Sequence, residues 1–174
     1  VLQLGSRRLV VFYTEGHARH HYCLHDPATR GVFTGDSFGI SYRELDTEQG
    51  PFVFPTTTPV HFDPDAAHEA IERILAREPD CVYLTHYSRV GDLGRLAADM
   101  HAHLDAFVRI AREHRHRDDR EQAIERGLFD YLVGRVEAHG FKGDRDAIGT
   151  IINADMKLNA QGLVVWLTRE EVKA

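Results

Sequence analysis

Short apolar runs rich in β-branched and aromatic residues punctuate the first half of the chain. They are Leu9-Val10-Val11-Phe12-Tyr13, Val32-Phe33-Thr34 and Cys81-Val82-Tyr83-Leu84. Runs of this length and type predict strands. Residues 2–13 read as a hairpin that turns at Gly5-Ser6, and Tyr22-Cys23-Leu24 as a further short strand. Between the strands, residues 26–31 carry the Pro and Gly of a turn. Residues 37–63 show no period and mix aromatic residues with prolines. This predicts a long loop, expected to lie over the strand ends and to wall a substrate pocket. Asp63-Pro64-Asp65 then opens a helix, with Asp63 as cap and Pro64 at its first position. Ala67, Ile71, Ile74 and Leu75 form its apolar stripe, and Glu78-Pro79-Asp80 stops it. Strand, turn, helix and strand in that order make an α/β pattern.

From Asp92 the period changes. Leu93, Leu96, Ala97, Met100, Leu104, Phe107, Val108 and Ala111 recur at helical spacing. Residues 112–121 are a charged stretch, read as a solvated helix end and turn. Ile124, Leu128, Leu132 and Val136 mark a second helix ending near His139-Gly140. Asp144 caps a third, with Ile148, Ile151 and Ile152, and residues 158–167 form a last apolar helix carrying Trp166. The chain thus divides into an α/β part over residues 1–92 and a helical subdomain of three or four helices over 93–174.

The apolar runs matter chemically because of the residues at their ends. One drives into Gly16-His17, one into Gly35-Asp36 and one into Thr85-His86. Imidazole nitrogen and carboxylate oxygen suit zinc and similar divalent ions. A carboxylate stranded between a buried strand and an aromatic loop is costly unless paired or metal-bound, which singles out Asp36. His20, His21 and His25 are expected in supporting or surface positions, and His61 at the pocket wall. His101-Ala102-His103-Leu104-Asp105 lies mid-helix, where residues 101 and 105 share a face and 103 points elsewhere. It reads as a solvated helix face. His68-Glu69-Ala70-Ile71-Glu72 lacks the second histidine of a zincin helix.

Composition narrows the function classes. A chain of 174 residues can bury its own core, and its net charge of −6 argues against a nucleic-acid partner. No apolar run approaches the ~20 residues of a membrane span. Cys23 and Cys81 sit within strand-like runs and read as small buried hydrophobes. The cytoplasm is the expected compartment.

Gly16-His17, Thr34-Gly35-Asp36 and Leu84-Thr85-His86, in that order and spacing, resemble the metallo-β-lactamase superfamily over roughly residues 1–92. The resemblance implies the C-terminal half of an αββα sandwich, followed here by the helical subdomain. It implies His17 on a first metal, Asp36 bridging two metals and His86 on the second. The cofactors implied are two divalent ions, zinc first, with manganese or iron as alternatives. The chemistry implied is a metal-held hydroxide attacking an ester, thioester or lactone-type bond of a small-molecule substrate. Asp36 and Tyr87 are the expected catalytic side chains, Tyr87 as hydrogen-bond donor to an oxyanion. Helical C-terminal additions shape the substrate pocket in some hydrolases of this family.

The family's leading His-x-His-x-Asp-His motif is not in this chain, which has sixteen residues before His17. The expectation is therefore a C-terminal half of a longer protein, holding one metal or none and inactive alone. Half a sandwich should leave a sheet face that pairs with the missing half or with a second copy. The alternative is a non-catalytic metal-binding or interaction module with a helical dimerisation surface.

Overall fold

Residues 2–35 build most of a sheet from four antiparallel strands: β1 (Leu2–Leu4), β2 (Arg7–Tyr13), β3 (Tyr22–Asp26) and β4 (Gly31–Gly35). The computed structural model describes residues 1–58 and 60–173. After β4 the chain leaves the sheet, makes a 3-10 turn at Arg43–Leu45 and forms α1 (Pro64–Leu75). It returns as β5 (Cys81–Leu84), parallel to β4, and closes with β6 (Ser88–Val90), antiparallel to β5. The six strands lie in sequence order. Three helices follow: α2 (Leu93–His114), α3 (Arg120–Ala138) and α4 (Arg145–Lys173). This is the mixed α/β class expected, with the Gly5-Ser6 hairpin in register from Leu2 opposite Leu9. At α1 the Asp63 side chain accepts the Ala66 N–H at 3.0 Å, with Pro64 first in the helix.

Pairing register gives the sheet two unlike faces. Val10, His25, Val32, Val82 and Val90 stand in one row, and Phe12 lies opposite Cys23 on that face. This face carries Phe12, Cys23, Val32, Val82 and Val90 into a core cluster that continues through the helices to Trp166 and Leu167. The opposite row is Val11, Leu24, Phe33 and Tyr83. Val11 is 42% exposed and Phe33 44%.

Three expectations are corrected. The loop over residues 37–63 is core as much as wall: Phe38, Ile40, Phe52, Val53, Phe54 and Phe62 are all buried, and Ile40 pairs with Phe54. Its aromatic residues turn inward because the space between sheet and helices has to be filled. The last two expected helices are one, α4. Its buried stripe runs on through Ile148, Ile152, Met156, Ala160, Leu163 and Leu167, so the period never breaks. Asn159 turns to the loop instead of ending the helix; its side chain takes the Thr57 N–H at 2.6 Å and donates to the Pro55 carbonyl at 3.1 Å. A Cβ on Gly162 would lie 1.6 Å from the Thr57 carbonyl, so only glycine lets helix and loop meet there.

The third correction concerns residues 101–105, which are not a solvated face. His103 is wholly buried, with Nδ1 2.8 Å from the Tyr131 hydroxyl on α3. His101 faces α1, its Nδ1 2.6 Å from that of His68. The outer nitrogens of this pair meet carboxylates, Glu72 at 2.9 Å from His101 and Asp105 at 3.2 Å from His68. The side chains at 101 and 103 do diverge, towards α1 and α3.

Candidate metal centre

His17 rides on the loop after β2. The loop is closed by the Thr14 N–H on the His21 carbonyl at 3.1 Å and the His21 N–H on the Ala18 carbonyl at 3.2 Å. Nδ1 of His17 lies 3.3 Å from the Thr56 carbonyl. A carbonyl only accepts, so Nδ1 carries a proton, and in the neutral ring Nε2 keeps its lone pair. That nitrogen lies 3.6 Å from Oδ2 of Asp36.

Asp36 stands in the turn after β4, three-quarters buried. Its other oxygen, Oδ1, has no hydrogen-bond partner and faces Nε2 of His86 at 3.5 Å. His86 sits between β5 and β6, half-exposed, and its backbone is tied to the loop by the Ser41 N–H on its carbonyl at 3.4 Å. The carboxylate is therefore held between two imidazoles, one to each oxygen.

These separations bear on metal fit. At 3.5–3.6 Å they are longer than hydrogen bonds. Two ligands on one tetrahedral zinc, each about 2.1 Å from it, stand ~3.4 Å apart. Each histidine–oxygen pair thus has the spacing of two ligands sharing an ion, and Oδ1 is the unpartnered buried atom such an ion would satisfy. The donor set fits. It is also incomplete: among the described residues, no group of three or more His, Cys, Asp or Glu side chains is arranged to hold one ion. Asp36 has one histidine facing each of its oxygens.

Tyr87, next to His86, is half-exposed with a φ of 69°. Its ring packs 5.0 Å from that of Tyr42. Tyr42 in turn donates to Asp155 of α4 at 2.8 Å, which brings the helical part to the rim. Burial pushes the Asp155 carboxyl up, while the Tyr42 hydroxyl and the nearby His86 pull it back. Burial and Asp155 together raise the Tyr42 phenol. A small cavity beside His17 and Asp36 is lined by Pro55, Thr56, Phe62 and Met100.

Sequence reasoning missed several of these residues. Thr56 acts through its carbonyl, and Asp155 is 119 residues from Asp36, so neither had a local signal. His21 was expected to be supporting or superficial; it lies beneath Asp36, and burial and the neighbouring His17 lower its pKa.

Known proteins resemble this chain in sequence and fold. The family model described as Metallo-beta-lactamase superfamily matches residues 2–86. The chain is similar to the metallo-beta-lactamase fold-containing protein ST1585 of Sulfurisphaera tokodaii, 35% identical over 83 residues, which is 48% of this chain and 28% of that protein. Among solved structures it resembles the metallo-beta-lactamase family protein TTHA1429 of Thermus thermophilus, with a TM-score of 0.61 and 16% identity over 98% of this chain and 47% of that one. It also resembles the structure of ST1585 from Sulfolobus tokodaii, with a TM-score of 0.54 and 24% identity over 93% of this chain and 48% of that one. At these identities the structural likeness speaks to the fold. The chain spans under a third of the curated relative and about half of each solved chain. Residues 2–86, the segment carrying both strand-end histidines and Asp36, match the metallo-beta-lactamase superfamily, a family of metal-dependent hydrolases.

Proposed function

We propose that this chain supplies part of the metal centre of a hydrolase acting on an ester, thioester or lactone-type bond of a small molecule. The observation that carries the reading is the Asp36 carboxylate between His17 and His86, with one oxygen buried and unpartnered. In this reading His17 and His86 would each hold one of two divalent ions, zinc first, and Asp36 would be a ligand shared by both. The ions would supply Lewis acidity and lower the pKa of a water towards ~7. The chain's own residues orient this chemistry. The Thr56 carbonyl keeps the His17 Nε2 bare, Asp36 sets the spacing between the half-sites, and Tyr87 is assigned as donor to the developing oxyanion. The remaining ligands lie outside this chain, so the chain alone is not a competent hydrolase.

The exposed sheet face supports an association surface. Leu2, Leu4, Val11, Tyr13, Tyr22 and Phe33 are large exposed apolar residues on that one face, whereas the large apolar residues the helices expose are Leu158 and Val172 among the described residues. We assign the face to the missing half of the sandwich, or to a second copy in its absence. A non-catalytic module dimerising through its helices has little exposed apolar helix surface to use.

Two measurements test this. The full-length protein, loaded with zinc or manganese, is screened against ester, thioester and lactone substrates beside its Asp36→Ala variant. Turnover that depends on Asp36 is expected; turnover indifferent to Asp36 refutes the assignment. Calorimetric titration of zinc into this chain alone is expected to give at most one weak site. Two tight sites would overturn the half-centre reading.

A further inference from the structure

Beneath the Asp36 turn runs a buried line of polar side chains that the proposed metal chemistry does not use. The Asp36 N–H points at Nε2 of His21 at 3.1 Å. An N–H can only donate, so that nitrogen is bare and the neutral ring carries its proton on Nδ1. Nδ1 lies 3.0 Å from the Ser37 hydroxyl and 3.2 Å from that of Thr14. Ser37 donates to Thr14 at 3.0 Å, the Thr14 hydroxyl lies 3.3 Å from the Cys23 sulfur, and the Cys23 thiol reaches the Thr34 carbonyl at 3.5 Å. Only one direction satisfies every hydrogen: His21 to Ser37 to Thr14 to Cys23 to the Thr34 backbone. Thr14, Cys23 and Ser37 are all buried, so an unmade bond in this line would be costly.

Two further observations place His21 at the junction of the site. A Cβ on Gly35 would lie 2.4 Å from Nε2 of His21, and Gly35 has a φ of +53°. The strand can therefore turn towards Asp36 against the imidazole only with glycine there. The backbone of His21 also closes the loop that carries His17, through its bonds to Thr14 and Ala18. One residue thus ties both strand ends together, by main chain to one and by side chain to the other.

We propose that His21 is the positioning residue of the site: locked as the Nδ1–H tautomer by the line to Cys23, it holds the Asp36 N–H and so aims the Asp36 carboxylate between His17 and His86. Its consequence for catalysis rests on the hydrolase reading above; the hydrogen-bond geometry does not.

The test is made on this chain by nuclear magnetic resonance. Long-range proton–nitrogen spectra near pH 7.5 are expected to show a bare Nε2 and a protonated Nδ1 at His21. A proton on Nε2 would overturn the proposal, and this measurement needs no variant. Amide hydrogen exchange at Asp36 is then compared in His21→Ala, His21→Asn and His21→Gln, with folding checked by circular dichroism. The Gln oxygen reaches the depth of Nε2, whereas the Asn oxygen reaches only that of Nδ1. Exchange at Asp36 is expected to accelerate about tenfold or more in the Ala and Asn variants, the scale of one lost hydrogen bond, and to stay near wild type in Gln. Unchanged exchange in His21→Ala, or Gln exchanging as fast as Ala, would refute the role. If exchange behaves as expected while the full-length protein hydrolyses nothing, the function fails and the positioning role stands.

Discussion

Imidazole and carboxylate are assembled twice in this molecule, to opposite ends. Between α1 and α2 they form a closed chain, Asp105–His68–His101–Glu72, with contacts of 3.2, 2.6 and 2.9 Å. Every ring nitrogen there has a partner at hydrogen-bond distance. At the sheet rim the Nε2 atoms of His17 and His86 face Asp36 at 3.6 and 3.5 Å, and Oδ1 stays unpartnered. The first cluster is saturated and staples two helices. The second is left unsaturated: the Thr56 carbonyl takes Nδ1 of His17, and neither Nε2 reaches Asp36 at hydrogen-bond distance. Residue type does not separate a saturated histidine cluster from an unsaturated one; what the neighbours leave unsatisfied does.

That contrast can be broken or sharpened by experiment. The largest effect is expected at the rim. In the full-length protein, Asp36→Ala should lower hydrolysis by well over the ~10²-fold typical of losing a mere supporting residue. Steady-state rates at saturating zinc measure this, and a loss of only a few-fold would demote Asp36 to a turn residue.

Acid should act next, through the helical part. Burial, aided by Arg135, lowers the His103 pKa to about 4. Its unfolded value is ~6.5, so between those pH values the unfolded chain binds the extra proton. Stability from neutral His103 is therefore complete above pH ~6.5 and lost as pH falls to ~4, by up to about 3 kcal/mol. Urea denaturation at pH 7 and pH 4.5 should show wild type losing more stability than His103→Gln. Equal losses would mean that His103 is solvated at the lower pH.

The sheet face comes third. Phe33→Asp removes one of its exposed aromatic side chains, and burying a Phe is worth ~1.5–3 kcal/mol. Sedimentation should show association of the chain weakened by roughly ten- to a hundredfold. A wild-type chain that is monomeric at high concentration would refute a second copy as occupant of the face. The smallest effect is expected at the saturated cluster. His101→Ala should cost about 0.5–1 kcal/mol by urea denaturation, as for a partly exposed ion pair. Added zinc should not change that difference, because the cluster has no lone pair to offer.

Much of this was legible along the chain. Strand runs that end on Gly-His, Gly-Asp and Thr-His made His17, Asp36 and His86 candidates, since a rigid strand delivers its next residue to a sheet edge. The cap at Asp63-Pro64 was legible for a similar reason, because its hydrogen bond spans only three residues. The uninterrupted α4 was hidden by the mostly polar stretch at residues 153–157, across which Met156 alone carries the buried stripe. His103 looked solvated because period alone does not say how many neighbours a helix has. With α1 on one side and α3 on another, α2 has two buried faces.

Local order therefore determined the elements, the family and the three side chains at the strand ends, because strand alternation, helix period and turn chemistry act over a few residues. Tertiary structure alone decided which ring nitrogens of His17 and His21 meet an acceptor or a donor, which Asp36 oxygen goes unpartnered and which sheet face meets solvent. Those depend on groups such as Thr56, Asp155 and the Gly35–His21 contact, brought together only when the chain closes on itself, and a short-range code carries no record of them.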